Sequence, residues 1–207
     1  MSTYQWKPSY GTQDCECLAD RLMYDHHLFK LYESTYRMRD HQGQWTEPFT
    51  HVRLNLGDVV VMLCHDVSTD QFILVEQCRP HLKYAAPDIS PWNLEVPAGY
   101  IEPQESPRQA ALREAMEETG VRASSARLLV RYISSGLLCG FVHGYYLTVD
   151  CREVLEQTGV SSENEYIRTH VLDFESLTKL VRDGTIIGTH TLMLYYSYVS
   201  QIRHAIV

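Results

Sequence analysis

One acidic segment constrains this chain more than any other part of its sequence. Residues 106–119 are rich in Ala, Leu, Arg and Glu, Pro107 stands at the first position that a helix would take, and Gly120 follows its last position. This order of residues predicts a helix over 106–119. Any fold of this chain must therefore accommodate a helix over these residues together with its charged side chains.

The charges of this helix oppose its stability. At helical spacing, Glu114 and Glu118 lie one turn apart on the same face, with Glu117 beside them. Like charges at this spacing cost about 0.2–0.5 kcal/mol each, and acids in the last turn also face the negative end of the helix dipole. A divalent cation bound by carboxylate oxygens would relieve the repulsion. The alternative is a solvated acidic face with an Arg113–Glu117 ion pair, and the charge pattern alone does not separate the two.

The string around the helix resembles a known motif. Residues 95–121 read EVPAGYIEPQESPRQAALREAMEETGV, and they match the box of the Nudix hydrolases, G-x5-E-x7-R-E-U-x-E-E-x-G-U, without a gap. Ala115 is smaller than the aliphatic residue usual at its position. The matching positions are Gly99, Glu105, Arg113, Glu114, Ala115, Glu117, Glu118, Gly120 and Val121.

The resemblance implies a metal-dependent hydrolase. Family members bind Mg²⁺ or Mn²⁺ at this element and hydrolyse a nucleoside diphosphate linked to another moiety. Carried over to this chain, the resemblance implies Glu114 and Glu118 as the main metal ligands, with the Ala98 carbonyl contributing and Glu117 more peripheral. Arg113 and Glu105 are then expected to hold the loop, and the two box glycines to serve turns.

The resemblance extends beyond the box to the ADP-ribose pyrophosphatase branch, over about residues 20–204. These enzymes are commonly homodimers whose N-terminal extension helps to build the partner's site. By this resemblance Arg79, in the segment EQCR, contacts the pyrophosphate, where a guanidinium fork suits paired oxygens, and Ala98 and Gly99 line the substrate site. The alternative for Arg79 is a surface arginine at the end of a strand.

An acidic segment after the box supplies candidates for a general base. Attack on phosphorus benefits from a base near the metal-bound water, and the box acids are already assigned as ligands. In SENEY, residues 162–166, Glu163 is the first candidate and Glu165 the alternate. The competing interpretation is a solvated acidic loop.

One departure from the branch concerns the substrate. About sixteen residues past the last box glycine, the branch has a proline, followed by a further glycine and an acid. Here Gly136 replaces the proline and Phe141 the acid. Because that loop contacts the terminal ribose side, ADP-ribose itself is doubtful and another nucleotide sugar stays open.

The remaining pattern predicts an α+β fold or a mixed sheet between helices, and the resemblance implies the Nudix α/β/α sandwich with a mixed sheet and an N-terminal β extension. We expect residues 1–45 to form the extension, which completes either the domain or a dimer, and residues 46–207 to form the hydrolase domain. Strands are predicted at 52–55, 59–64, 72–77, 92–96, 127–133, 145–149 and 166–172, and further helices at 174–183 and 189–204.

Composition excludes several classes of protein. The chain has 207 residues, ample for a core without disulfides. A formal net charge of −8 and the lack of a basic run exclude a nucleic-acid-binding surface. The six cysteines form no metal-binding pattern, no stretch is apolar for 18 residues, and the N-terminus has no signal-peptide pattern. These features predict a cytoplasmic protein without a membrane partner.

Three functions are weighed on this basis. The first is a Mg²⁺-dependent pyrophosphohydrolase that cleaves a nucleoside diphosphate derivative, ADP-ribose-like or another nucleotide sugar, to a nucleoside monophosphate and a phosphorylated product. The second is a Nudix enzyme acting on nucleoside triphosphates or dinucleoside polyphosphates. The third is a non-catalytic nucleotide sensor, which an intact box argues against.

Overall fold

The computed structural model describes residues 5–85, 88–159 and 165–204. The chain divides into two compact units. The first comprises Met1–Gly57 together with Ser135–Gly140, and the second comprises Asp58–Ser134 and Phe141–Val207. No described helix is long and apolar enough to cross a membrane.

The first unit is a four-stranded sheet in the order β1-β2-β3-β9. The first three strands pair antiparallel, and β9 pairs parallel with β3. The Arg21–Glu33 ion pair joins the neighbouring strands β1 and β2, and the Arg53–Asp20 ion pair joins β3 to β1, which lie on either side of β2. Its strands are β1 (Cys15–Asp25), β2 (Lys30–Met38), β3 (Phe49–Asn55) and β9 (Leu138–Cys139).

The second unit is built on a mixed sheet in the order β11-β12-β5-β4-β10-β8, with β6 added to β5 and β7 added to β4. Among the described strands of this unit, β10 and β4 are the only parallel pair. The strands are β4 (Val59–Asp66), β5 (Gln71–Cys78), β6 (Trp92–Glu95), β7 (Ala98–Tyr100), β8 (Ser125–Tyr132), β10 (Val142–Thr148), β11 (Gln157–Thr158) and β12 (Ile167–Asp173). The helices are α1 (Leu82–Ala85), α2 (Pro107–Thr119), α3 (Phe174–Arg182) and α4 (Thr189–Tyr198).

Helices cover both faces of this sheet. Alternate residues of β4 point to opposite sides, so that Val61 and Leu63 pack in a cluster with residues of α3 and α4, while Val60 and Met62 pack in a second cluster with α2. The α2 side of this second cluster consists of alanines, including Ala115, which is fully buried. A small residue at this position lets the helix lie close to the sheet. The expected α/β/α sandwich with a mixed sheet is confirmed.

The ends of α2 follow the sequence signals closely. Ser106 caps the helix by accepting a hydrogen bond from the Gln109 amide, and Pro107 occupies the first turn. Gly120 ends it in the left-handed region at φ 76°. The last helix differs from expectation, because the α-helical part ends at Tyr198 and a π-helical turn follows over Val199–Arg203.

The sheet opens where β4 and β5 diverge. These strands pair only between Cys64–Asp66 and Gln71–Ile73. Beyond that point β4 takes β7 as its neighbour and β5 takes β6. The chain between β6 and β7 therefore bridges a cleft in the sheet, and the box helix α2 follows directly after it.

Candidate active site

The three glutamates of α2 have different surroundings. Glu118 is 3% exposed and accepts a hydrogen bond from the backbone amide of Ala98 at 3.0 Å. The side chain of Glu114 is 14% exposed, and that of Glu117 is 45% exposed. The structure thus places Glu114 and Glu118 against β7, whereas the side chain of Glu117 is more exposed.

Position 99 requires a glycine because the Glu114 carboxylate lies against its backbone. A Cβ added to Gly99 would lie 1.9 Å from the carboxyl carbon of Glu114, so only a glycine lets that side chain lie against the strand. Gly99 belongs to β7 and is not part of a turn. The expectation that both box glycines serve turns is therefore wrong for Gly99, whereas Gly120 does serve the end of α2.

Arg113 holds the acidic loop together. Its guanidinium donates to Glu105 at 2.9 Å and 3.1 Å, to Glu114 at 2.8 Å and to Glu117 at 3.0 Å. It also donates to the Tyr100 carbonyl oxygen at 3.0 Å. All three guanidinium nitrogens of Arg113 therefore donate hydrogen bonds within the protein. This arrangement agrees with the interpretation that Arg113 and Glu105 hold the loop rather than touch a substrate.

The electrostatics of the buried carboxyl groups favour the binding of a cation. Burial raises the pKa of Glu118 to about 8, although the Ala98 amide opposes the rise, and the negative charges of Glu165 and Glu114 add to it. Burial also raises the pKa of Glu114, against the opposing effect of Arg113. Carboxylates that destabilise each other in a buried place are the ones that a divalent cation would stabilise most.

A further acid, Glu165, belongs to this group. It accepts a hydrogen bond from Gln77 Nε2 at 3.0 Å, and its charge acts on both Glu114 and Glu118. The two-residue strand β11 adjoins α2, since the hydroxyl of Thr158 donates to the Glu118 carbonyl oxygen. Glu163, the first candidate for the general base, lies outside the described residues.

Arg79 lies at the same cleft, at the end of β5. Its Nη2 and Nε donate to one carboxylate oxygen of Glu95, at 2.7 Å and 3.1 Å. Although burial lowers the pKa of Arg79, the bond to Glu95 and the charges of Glu118 and Glu165 raise it overall. Arg79 is therefore a half-buried cation near Glu118 and Glu165, and its hydrogen bonds to Glu95 hold it in place.

Sequence reasoning missed two residues, Glu95 and Gln77. Both stand in the segments LEVPAG and EQCR that carried the resemblance. Their roles depend on partners far along the chain, Arg79 and Glu165, and spacing does not reveal such partners.

The donor set fits Mg²⁺ or Mn²⁺. The acids offer hard oxygen ligands, and one oxygen of Glu114 is held by Arg113. Among residues 5–85, 88–159 and 165–204, no three acidic, His or Cys side chains form a ready-made cage. Mg²⁺ does not require such a cage, because it keeps several waters and binds through one or two carboxylates together with phosphate oxygens.

Comparisons with known proteins agree with this geometry. Residues 55–148 match the model of the NUDIX domain. An ADP-ribose pyrophosphatase of Haemophilus influenzae is 30% identical over 200 residues, which cover 93% of this chain and 92% of that one. The Escherichia coli K12 ADP-ribose pyrophosphatase is 30% identical over 188 residues, covering 86% and 84%.

A more distant relative and a solved structure also match this chain. A GDP-mannose pyrophosphatase of Yersinia pestis is 28% identical over 170 residues, covering 80% of this chain and 82% of that one. A solved structure described as an ADP compounds hydrolase superposes with a TM-score of 0.68 at 16% identity, covering 95% of this chain and 98% of that one. With a complete box on α2, its buried acids beside Ala98, and relatives matched over most of their length, the chain belongs to the Nudix hydrolase family, and it is an enzyme.

Proposed function

We propose that this enzyme is a Mg²⁺-dependent pyrophosphohydrolase that cleaves a nucleoside diphosphate derivative to a nucleoside monophosphate and a phosphorylated product. One observation carries the proposal. The buried Glu118 shares its surroundings with Glu114 and Glu165 and faces the cation of Arg79. Buried acids opposite an arginine suit a ligand that brings its own diphosphate charge together with metal ions.

Glu114 and Glu118 are the proposed metal ligands, with the Ala98 carbonyl as a third and Glu117 in a peripheral role. A bound Mg²⁺ or Mn²⁺ supplies charge neutralisation for the diphosphate and lowers the pKa of the attacking water. The Ala98 amide orients Glu118 through its 3.0 Å bond. Arg113 fixes one oxygen of Glu114 at 2.8 Å and leaves the other oxygen to the ion.

Arg79 is the proposed contact to the pyrophosphate, with Ala98 and Gly99 lining the substrate site. Glu95 restrains the guanidinium by its Nε and one Nη atom, so that its other edge can meet phosphate oxygens. Because the arginine is pre-oriented, less of its conformational entropy is lost on binding.

Glu163 and Glu165 are the proposed alternatives for the general base, the group that takes the proton of the attacking water. Glu165 is supported by its bond to Gln77 and by its influence on the two box acids. Glu118 carries the catalytic role of binding the metal beside the reacting phosphorus.

A nucleotide sugar is the proposed substrate class, ADP-ribose or a relative of it. Proteins named for the hydrolysis of ADP-ribose and of GDP-mannose are both similar to this chain. Phe141 stands where the branch has an acid, and the centroid of its ring lies 3.5 Å from the Arg131 guanidinium carbon. A cation stacked on an aromatic ring replaces a carboxylate there, which changes what the loop can bond.

We also propose a homodimer in the cytoplasm. Residues 1–45 are the proposed dimer-forming extension and residues 46–207 the hydrolase domain. The first unit exposes many large apolar side chains, and such surfaces mark sites of association. The chain has six free cysteines, which suit a reducing compartment. Sedimentation equilibrium tests the dimer, and a purely monomeric protein at micromolar concentration contradicts it.

The decisive experiment is a panel of nucleotide sugars, nucleoside triphosphates and dinucleoside polyphosphates in ¹⁸O water with Mg²⁺. We expect nucleoside monophosphate from a nucleotide sugar, with ¹⁸O in one product identifying the attacked phosphorus. Glu118→Gln should abolish turnover. Glu102→Gln, a change at an exposed glutamate that occupies a variable position of the box, is the matched control and should leave turnover unchanged. Turnover that survives in Glu118→Gln contradicts the assignment of the metal ligands.

A further inference from the structure

The first turn of α4 forms another wall of the cleft. A Cβ added to Gly188, the N-cap residue of α4, would lie 3.8 Å from Glu95. The buried hydroxyl of Thr191 accepts the Val96 amide hydrogen bond at 3.0 Å. Gly188 therefore lies next to Glu95, and the Thr191 bond ties this turn to the segment that restrains Arg79 and leads to Gly99.

His190 lies between Gly188 and Thr191 in the chain. Its ring Nδ1 and the hydroxyl of Tyr132 are 2.6 Å apart. The imidazole is half-buried, and the charges of Glu95 and Arg79 both act on it. Within the part of the chain that the structure describes, its Nε2 has no hydrogen-bond partner.

The protonation states of His190 and Tyr132 determine which ring nitrogen carries the proton. Burial lowers the pKa of His190, so the ring is neutral near pH 7 and carries one proton. Burial raises the pKa of Tyr132 well above its usual range, so the phenol keeps its proton. When Tyr132 donates to Nδ1, the ring proton is on Nε2, which becomes a hydrogen-bond donor directed away from Tyr132.

We propose that His190 is a further substrate-contacting residue, whose Nε2–H donates to a phosphate oxygen of the substrate's diphosphate, and that Tyr132 positions its ring. This inference rests on the proposed function. Both bonds from Arg79 end on one oxygen of Glu95, and among the described residues the other oxygen is not bonded to His190, so we assign an anion of the ligand as the acceptor for Nε2–H. His190 and Arg79 then hold the same diphosphate from two elements, α4 and the end of β5.

The competing explanation is that the pair only ties β8 to α4. Steady-state kinetics with a nucleotide sugar separates the two. We expect His190→Ala to lower kcat/KM ten- to a hundredfold. His190→Gln, whose amide N–H can approach the place of Nε2, should restore part of that loss. Tyr132→Phe should lower kcat/KM about fivefold, and the double variant Tyr132→Phe/His190→Ala should be no worse than His190→Ala alone.

The matched control is His170→Gln, a change at a histidine that is bonded to Glu76 on β5. It should leave the kinetic constants within twofold of the wild type. The inference is overturned if His190→Ala also stays within twofold, or if the losses of the two single variants multiply in the double variant.

A binding measurement separates this inference from the proposed function. Calorimetry with the non-hydrolysable α,β-methylene ADP and Mg²⁺ needs no turnover. We expect His190→Ala to raise the Kd at least tenfold while His170→Gln leaves it unchanged. If the wild type cleaves nothing in the panel yet shows this difference, the proposed function fails and the contact stands. An equal Kd for His190→Ala and the wild type overturns the contact.

Discussion

Replacing Glu118 by glutamine should make the metal-free protein more stable while it abolishes activity. The reason is the pKa of Glu118, which burial raises from 4.5 to about 8. The folded state therefore binds this proton more tightly than the unfolded state does, and between pH 4.5 and 8 the folded state carries more protons. Stability due to this group falls as the pH rises through that window.

The magnitude follows from the same values. At about 1.4 kcal/mol per pH unit, the rise from 4.5 to about 8 sets an upper bound of roughly 5 kcal/mol on what the metal-free wild type loses by pH 8. Glutamine removes this loss and keeps an oxygen to accept the Ala98 amide, but its own amide group needs new partners. We expect a net gain of about 2 kcal/mol at pH 8, or roughly 4–8 °C in Tm for a chain of this size.

Thermal unfolding in EDTA at pH 5 and pH 8 measures this effect. The Glu118→Gln variant should unfold close to the wild type at pH 5 and well above it at pH 8. Saturating Mg²⁺ should raise the Tm of the wild type much more than that of the variant, because a ligand stabilises the state that binds it. A variant that is less stable than the wild type at pH 8, or a difference that is equal at both pH values, refutes the reasoning.

Four other substitutions test the site and its support. Gly99→Ala should lower kcat/KM at least a hundredfold with little change in Tm, because the new methyl displaces only the flexible end of Glu114; a normal kcat/KM contradicts this. Gly120→Ala should instead cost about 1–3 kcal/mol in urea unfolding, since φ is 76° and a side chain lies 2.5 Å from the new Cβ. Arg113→Lys should lower kcat/KM at least tenfold in steady-state assays, because an ammonium cannot replace a fork bonded to three carboxylates. Asp66→Asn should cost about 1–2 kcal/mol at pH 7 and little at pH 2 in urea unfolding, since hydrogen bonds from the Ser68 hydroxyl and backbone amides lower the aspartate pKa from 3.8 to about 2, so its contribution is lost as the pH falls from 3.8 to 2.

The box helix was predictable because its determinants are local. Ser106, Pro107 and Gly120 set its ends, and the spacing of Glu114 and Glu118 placed both on one face. The longer strands of the second unit were also predicted within a few residues, since apolar runs between turn residues need no distant partner, whereas the short strands β7 and β11 were not predicted. The order of these elements predicted the α+β class, and the family resemblance supplied the α/β/α sandwich.

Other features depend on residues far apart in the chain. Arg79 was singled out, but its holder Glu95 was not, because the pairing arises only when β5 and β6 come together. Gly99 was assigned to a turn, whereas the carboxylate that requires a glycine there comes from α2, fifteen positions later. Nothing in the local pattern of residues 135–140 predicts that a strand there pairs with β3.

The pairing of β9 with β3 has a practical consequence for anyone who shortens this protein. Cutting the chain just before Asp58 would remove three of the four strands of the first unit and leave Leu138–Cys139 without a neighbour. An orphaned strand edge of this kind invites aggregation. A truncated enzyme should therefore lose both stretches together, with a short turn joining Ser134 to Phe141.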